Sequence, residues 1–164
     1  MQKANFGLMG LGVMGHMLAL NIECHGIRVA GYDLDSKKVK AFGAKYTGRI
    51  LVACTTLDEF LSARDFQRRI MMMVPAGKPV DDAIASLQDA LEPGDLLIDG
   101  GNTHFMDTER RSRELEAKGI FYIGTGVSGG EYGALWGPAL MPVGQPEAWK
   151  MIKPVFEAIC AVFC

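Results

Sequence analysis

A glycine-rich segment near the start of the chain restricts the possible folds more than any other feature of the sequence. Residues 10–15 read Gly-Leu-Gly-Val-Met-Gly and match the pattern G-x-G-x-x-G. An apolar segment of strand length, residues 4–9, precedes them, and residues 14–22 carry apolar side chains at helical spacing. Between a strand and a helix, this pattern is typical of a loop that binds a dinucleotide.

Each glycine of this segment has a separate physical role in such a loop. Gly10 makes a tight turn, Gly12 lets the backbone approach a pyrophosphate, and Gly15 lets the helix pack closely on the strand. The N–H groups at the start of the helix then face the phosphates, where the helix dipole favours negative charge. We therefore predict a nucleotide-binding loop at residues 10–15.

Strand-length apolar segments alternate with helical segments along most of the chain, which is typical of βαβ units. We expect an α/β fold with a doubly wound, mostly parallel sheet of Rossmann type, in which residues 1–164 form one dinucleotide-binding domain. Strands are predicted at residues 4–9, 27–32, 49–53, 69–74, 96–99 and 120–123.

Several helix boundaries are also predicted. Ser36 is expected to cap one helix, and Thr56 with Glu59 matches a capping box at the start of another. Further helices are expected at residues 80–91, at residues 103–118 and from about residue 147, with a glycine-rich loop at residues 124–137 and an incomplete strand at residues 159–164.

The charge and cysteine content argue against several classes of protein. A net charge of -2 provides no basic field that would attract nucleic acid or an anionic membrane. The pairs Arg68-Arg69 and Arg110-Arg111 are expected at solvated ends of helices or strands. Four cysteines without a CxxC pair or a histidine at a spacing that would complete a zinc site predict reduced thiols in a cytoplasmic protein and no metal site.

An acid at the end of the second predicted strand indicates which dinucleotide is bound. Asp33 lies 18 residues after Gly15, where a carboxylate accepts hydrogen bonds from the adenosine ribose. Asp33 and Asp35 would repel a 2′-phosphate, and no arginine follows Asp33, so the residues favour NAD over NADP. Two alternatives stay open: the acids can simply end a strand before a helix, and Lys37 or Lys38 can reach a phosphate.

The loops after the other strands are candidates for binding and chemistry, because ligands of this fold lie outside the carboxyl ends of the strands. Residues 74–77 would pass near the cofactor, or form an ordinary strand-to-helix turn. Asn102 can donate and accept hydrogen bonds there, unless it or Thr103 only caps a helix. Residues 124–131 can hold a substrate carboxylate or phosphate through backbone donors. Their serine does not match the G-x-S-x-G pattern of a nucleophile elbow.

Four segments together carry a resemblance that covers essentially the whole chain. They are GLGVMG, IDGGN, GVSGGEYGA and GPALMPVG, at residues 10–15, 98–102, 126–134 and 137–144. In this order and spacing they resemble the N-terminal coenzyme domain of 6-phosphogluconate dehydrogenase. Related β-hydroxyacid dehydrogenases share the glycine loop and a VSGG segment but usually lack the other two.

The resemblance implies NAD(P)-dependent oxidative decarboxylation of 6-phosphogluconate to ribulose 5-phosphate and CO2, in the pentose phosphate pathway and gluconate utilization. It also implies a cytoplasmic homo-oligomer. It assigns cofactor contacts to Gly10, Gly12, Val13, Met14, Gly15, Asp33, Leu34, Val74, Ala76, Asn102 and Glu131, and substrate contacts to Asn102, Ser128, Gly129 and Gly130.

Two departures from the family pattern sharpen these expectations. NADP-dependent members carry Asn-Arg-Thr where this chain has Asp33-Leu34-Asp35, and tend to carry lysine where Pro75 stands, which again favours NAD. The family's base lysine and acid glutamate lie beyond the coenzyme domain and are followed by a large helical domain that completes the substrate pocket and the dimer, whereas this chain reaches only Cys164. We therefore expect a fragment that binds dinucleotide and contains no catalytic residue.

Two other functions remain open from the sequence. One is an NAD-dependent β-hydroxyacid dehydrogenase that acts on a smaller acid, and the other is a nucleotide-binding domain without catalysis.

Overall fold

The computed structural model describes residues 3–63 and 67–161, which form one sheet with helices on both faces. The strands are β1 Phe6–Met9, β2 Val29–Tyr32, β3 Leu51–Cys54, β4 Arg69–Met72, β5 Leu96–Asp99, β6 Phe121–Ser128 and β7 Ala139–Gly144. The helices are α1 Val13–Cys24, α2 Ser36–Lys45, α3 Leu57–Ser62, α4 Lys78–Leu87, α5 Phe105–Glu116, α6 Gly130–Trp136 and α7 Pro146–Ile159.

The strand order is β3-β2-β1-β4-β5-β6-β7, which confirms the predicted doubly wound α/β fold. All neighbouring strands pair in parallel except β6 and β7, which are antiparallel. The order reverses between β1 and β4, and at such a point the loops at the carboxyl ends separate to form a ligand crevice.

The central strands β1, β4 and β5 are largely apolar and buried because helices cover both faces of the sheet there. Phe6 and Leu8 of β1 belong to one buried cluster, which includes apolar side chains of α1 and α7. Ile70 and Met72 of β4 belong to a second cluster on the other face, with side chains of α3, α4 and α5. Among the described residues, no helix is both long and apolar enough to cross a membrane.

The prediction of a glycine-rich loop at residues 124–137 is wrong. Strand β6 continues to Ser128 and α6 follows almost at once. The glycines in this strand serve close packing: a Cβ on Gly124 would lie 2.8 Å from Thr108 Cγ2, and one on Gly126 would lie 3.0 Å from Met141 Cε. Strand β7 was not predicted; it is an edge strand, where Pro142 is tolerated.

Two smaller predictions are also corrected. The cap of α2 is Asp35, whose Oδ1 accepts the Lys37 N–H at 2.9 Å, and not Ser36. The chain from Ile159 does not begin a strand, since α7 includes Ile159 and Cys160 caps it. Residues 162–164 of that prediction lie outside the described residues. The capping box of Thr56 and Glu59 is confirmed.

Candidate functional site

The glycine-rich segment turns sharply between β1 and α1. Gly10 has a φ of +98°, and a Cβ there would lie 2.5 Å from the Met73 carbonyl oxygen. A Cβ on Gly15 would overlap the Gly10 carbonyl, whereas one on Gly12 would project into open space. No side chain in the described part of the protein caps α1. The first-turn N–H groups of α1 are therefore available to bind an anion.

The carboxylate of Asp33 holds this segment in place. Its Oδ2 accepts the Leu11 N–H at 2.7 Å and its Oδ1 accepts the Asp35 N–H at 2.8 Å. Lys38 Nζ lies 3.6 Å from Oδ2. A carboxylate oxygen has two lone pairs, so Asp33 retains capacity to accept from a further donor. Leu34, beside it, is 93% exposed at the tip of the turn.

The loop after β4 lies against the loop after β5. Gly77 ends the first loop with a φ of +85° and precedes α4. A Cβ on Gly101 would lie 2.6 Å from the Val74 carbonyl oxygen, so the two loops are in close contact. Val74 is half-buried and Ala76 is exposed.

Asn102 connects the β5 loop to the end of β6. Its φ is +56°, in the left-handed region that asparagine tolerates better than most residues. Its Oδ1 accepts the Val127 N–H at 3.3 Å, which places it beside the exposed Ser128. The cap of α5 is His104, so neither Asn102 nor Thr103 caps that helix.

Residues 128–131 lead into α6, which packs on α1. Burial and Lys45 lower the pKa of His16, and the charge of Glu131 opposes this shift. Glu131, in the first turn of α6, therefore lies close enough to His16, in α1, for their charges to interact. Further along, the buried Asn21 side chain of α1 donates to the Ala134 carbonyl of α6 at 3.1 Å. The glycine segment and residues 128–131 are therefore held in a fixed relation.

A buried carboxylate that the sequence analysis did not single out lies beneath these loops. Asp99 is 1% exposed. Its Oδ1 accepts the Gly101 N–H at 2.9 Å. Its Oδ2 accepts from the hydroxyls of Thr103 at 2.6 Å and Tyr122 at 2.8 Å, and from Arg111 Nη1 at 3.3 Å. Burial, followed by the Asp99 carboxylate, raises the pKa of Tyr122, so this hydroxyl remains a donor.

The prediction that Arg111 is solvated is wrong, because the residue is 1% exposed. Nε donates to Asp81 Oδ1 at 2.8 Å, and Nη2 donates to Asp81 Oδ2 at 3.1 Å and to the Gly77 carbonyl at 3.0 Å. Burial disfavours the charge of Arg111, but Asp81 and Tyr122 outweigh it and raise the pKa. A signal was present in the sequence, since Arg111 precedes the buried Leu115 by one helical turn.

The carboxyl edge of the sheet thus brings together the segments that the sequence analysis selected. Their residues are Gly10, Gly12, Val13, Met14, Gly15, Asp33, Leu34, Val74, Ala76, Asn102, Ser128, Gly129, Gly130 and Glu131.

Comparisons with known proteins agree with the family resemblance. A family model described as the NAD binding domain of 6-phosphogluconate dehydrogenase matches residues 5–164. The decarboxylating 6-phosphogluconate dehydrogenase of Lactococcus lactis subsp. lactis (strain IL1403) is 51% identical over 161 residues, 98% of this chain and 34% of that protein. The NADP(+)-dependent, decarboxylating enzyme of Bacillus subtilis (strain 168) is 48% identical over 161 residues, with the same coverage of 98% and 34%.

A solved structure is similar over nearly the whole chain. It is the 6-phosphogluconate dehydrogenase of Plasmodium falciparum, described in apo form and in complexes with its cofactor NADP+ and its substrate 6-phosphogluconate. The TM-score is 0.91 at 31% sequence identity, over 96% of this chain and 34% of that chain. The chain spans about a third of the length of the relatives it matches.

Proposed function

Because the chain belongs to the family of NAD-binding domains of 6-phosphogluconate dehydrogenase, we propose that it is the coenzyme-binding part of an oxidoreductase. The reaction is the NAD(P)-dependent oxidative decarboxylation of 6-phosphogluconate to ribulose 5-phosphate and CO2. The observation that carries the proposal is the first turn of α1, which has no side-chain cap and follows β1 at the carboxyl edge of the sheet, the edge at which Asn102 and Ser128 also lie. Uncapped helix N–H groups at a topological switch point suit a dinucleotide pyrophosphate.

The chain's own residues supply binding and orientation. The N–H groups of Val13 and Met14 would hold the pyrophosphate, and Gly12 lets it approach because no side chain intervenes. The Asp33 carboxylate would accept from the adenosine ribose through its remaining lone pairs. When bound, the nicotinamide supplies a hydride acceptor.

Substrate binding would use neutral donors and acceptors. Asn102 uses its Oδ1 within the protein, so its amide Nδ2 can donate to the substrate. Ser128, Gly129 and Gly130 are exposed at the same edge, and the Ser128 hydroxyl and the two glycine N–H groups would donate to the substrate. Glu131 would border the nicotinamide with Met14.

A titration tests the proposal. NADH and NADPH fluorescence should change on addition of the protein and saturate with a stoichiometry of one site per chain. Gly12→Val should abolish binding without unfolding, since a side chain there points into open space and blocks only the ligand. Absence of binding by the parent protein to either coenzyme would contradict the proposed function.

We further propose that the site prefers NAD. Asp33 places a negative charge where NADP carries its 2′-phosphate, and Leu34 offers no positive charge to balance it. One relative is named NADP(+)-dependent, so the coenzymes must be compared directly.

Calorimetric titrations with NAD and NADP decide the preference. Asp33→Asn together with Leu34→Arg should shift the ratio of dissociation constants toward NADP by about tenfold or more, because one like charge is removed and one opposite charge is added. Leu34→Ala is the matched control and should leave the ratio unchanged. Tighter binding of NADP by the parent protein would overturn the NAD preference alone.

Catalysis is proposed to need residues beyond this segment. By the family resemblance, the base lysine and acid glutamate belong to the part of the relatives that this chain does not match, which also forms a helical domain and the contacts of a homo-oligomer. Residues 1–164 should therefore bind coenzyme and show no turnover of 6-phosphogluconate. Turnover by this segment alone would contradict this assignment.

A further inference from the structure

We propose that Arg111 is a positioning residue for the coenzyme site, which it does not touch. This inference depends on the proposed function, because it concerns the affinity of the same crevice. One guanidinium joins the loop after β4, through the Gly77 carbonyl, to the loop after β5, through Asp99. Arg111 thereby sets the distance between two loops that border the dinucleotide.

The β4 side of the contact is rigid. Arg111 binds both oxygens of Asp81, in the first turn of α4, with two parallel N–H donors. Such a forked pair fixes orientation as well as distance. Hydrogen bonds from Arg111, more than those from Arg110, lower the pKa of Asp81 well below its usual range, so the pair stays ionised. The start of α4 and the adjoining Gly77 are therefore fixed relative to α5.

The β5 side of the contact determines where Asn102 lies. Asp99 binds Arg111, Thr103 and the Gly101 N–H at once, so its carboxylate encloses the turn that carries Asn102. That turn has a left-handed φ at Asn102, a conformation that its surroundings must maintain. A shift of Asp99 would move the Asn102 amide away from Val127 and toward the crevice.

Lysine cannot replace this arginine. Its ammonium group is a single point donor on a flexible chain, whereas the contacts to Asp81, Gly77 and Asp99 lie in different directions around a planar fork. Arg111→Lys keeps the charge and holds one loop only. It thus separates the effect of charge from the effect of joining the loops.

A matched control exists at the opposite end of β5. Arg68 Nη1 donates to the buried Asp95 at 3.0 Å and to the Ala90 carbonyl at 2.5 Å. This pair has similar chemistry, but it lies at the amino end of the strand, away from the crevice. Arg68→Lys should therefore lower stability and leave coenzyme binding unchanged.

The experiment measures the dissociation constant of NADH and the melting temperature for the parent protein, Arg111→Lys, Tyr122→Phe and Arg68→Lys, at a temperature where all are folded. We expect Arg111→Lys to weaken NADH binding about tenfold and Tyr122→Phe about threefold, by loss of charge-assisted contacts that hold the loops. We expect Arg68→Lys to melt earlier with the parent dissociation constant. Circular dichroism verifies that each variant is folded.

The outcomes separate the two proposals. If Arg111→Lys and Tyr122→Phe melt earlier but bind NADH like the parent protein, Arg111 has a structural role only and the inference is overturned. The same holds if Arg68→Lys weakens binding equally, because the effect then reflects general loosening. If the parent protein binds no coenzyme, the proposed function itself fails.

Discussion

At each end of β5, a buried aspartate accepts a hydrogen bond from an arginine, but the other partners of the two aspartates differ. At the amino end, Asp95 is 3% exposed and accepts from the N–H groups of Arg68 and Glu92 and from Arg68 Nη1. At the carboxyl end, Asp99 accepts one N–H and three side-chain donors, from Thr103, Tyr122 and Arg111.

The difference lies in what each carboxylate has to hold. Asp95 closes a short turn before β5 and the start of β4, where the backbone supplies most of the donors. Asp99 lies under two irregular loops whose backbones leave the sheet to form the crevice. Side chains from α5 and β6 must reach in to hold them, so the carboxyl end needs a longer-range network.

The largest expected effect comes from removing the carboxylate at each end. Asp99→Ala removes the buried acceptor of the Gly101 N–H, Thr103, Tyr122 and Arg111 Nη1 at once, and should lower the free energy of unfolding by about 3–5 kcal/mol. Asp95→Ala should cost less, about 1–3 kcal/mol, because the Arg68 side chain is 20% exposed and can be hydrated. Urea unfolding measures both. Equal losses would show that the two ends are energetically alike.

A smaller effect is expected from one hydroxyl at the carboxyl end. Tyr122→Phe removes a hydrogen bond to a buried carboxylate and should cost about 1.5–3 kcal/mol, the range for bonds to charged groups. Tyr46→Phe is the matched control, because its hydroxyl lies 2.7 Å from His16 Nε2 in a half-buried contact. It should cost about 0.5–1.5 kcal/mol. A larger loss for Tyr46→Phe would reverse the comparison.

The smallest effect is expected in the dependence of melting temperature on pH, at acid pH. Hydrogen bonds from Arg111 depress the pKa of Asp81 in the folded state, so its contribution to stability is full above the ordinary value of 3.8 and is lost as the pH falls below it. Asp81→Asn should therefore flatten the dependence of melting temperature on pH below that value. Asp82→Asn, which removes an exposed pair with Lys78, should keep the parent slope. If Asp81→Asn keeps the pH dependence of the parent protein, the ionisation of Asp81 does not contribute to stability in this range.

Local patterns sufficed to predict the fold and to select the segments of the candidate site. The glycine segment is recognised by the spacing of its glycines, the strands by short runs of apolar residues, and Asp33 by its place at the end of a strand. Each of these patterns extends over only a few residues. The fold follows from their order along the chain, because short βαβ connections leave few topologies open.

The remaining features depend on contacts between distant segments. Gly124 and Gly126 read as a loop because the side chains of Thr108 and Met141 that pack on them lie elsewhere in the sequence. Arg111 cannot be distinguished by type from the neighbouring Arg110 and Arg113, which are exposed. Its spacing from Leu115 places it on the buried face of α5, and the partners that satisfy its charge there, Asp81 and Asp99, are 30 and 12 residues away.

The exposed tip of the β2 turn has a consequence for how this protein could change over evolution. Leu34 is 93% exposed, so a charged side chain can enter at that position with little effect on folding. Asp33 is more constrained, because it holds the Leu11 and Asp35 N–H groups, yet asparagine offers an acceptor of the same shape for one of them. If the site has the proposed preference for NAD, a lineage could therefore exchange one coenzyme for the other through two neighbouring substitutions, at the cost of one hydrogen bond in the turn and with the core left intact.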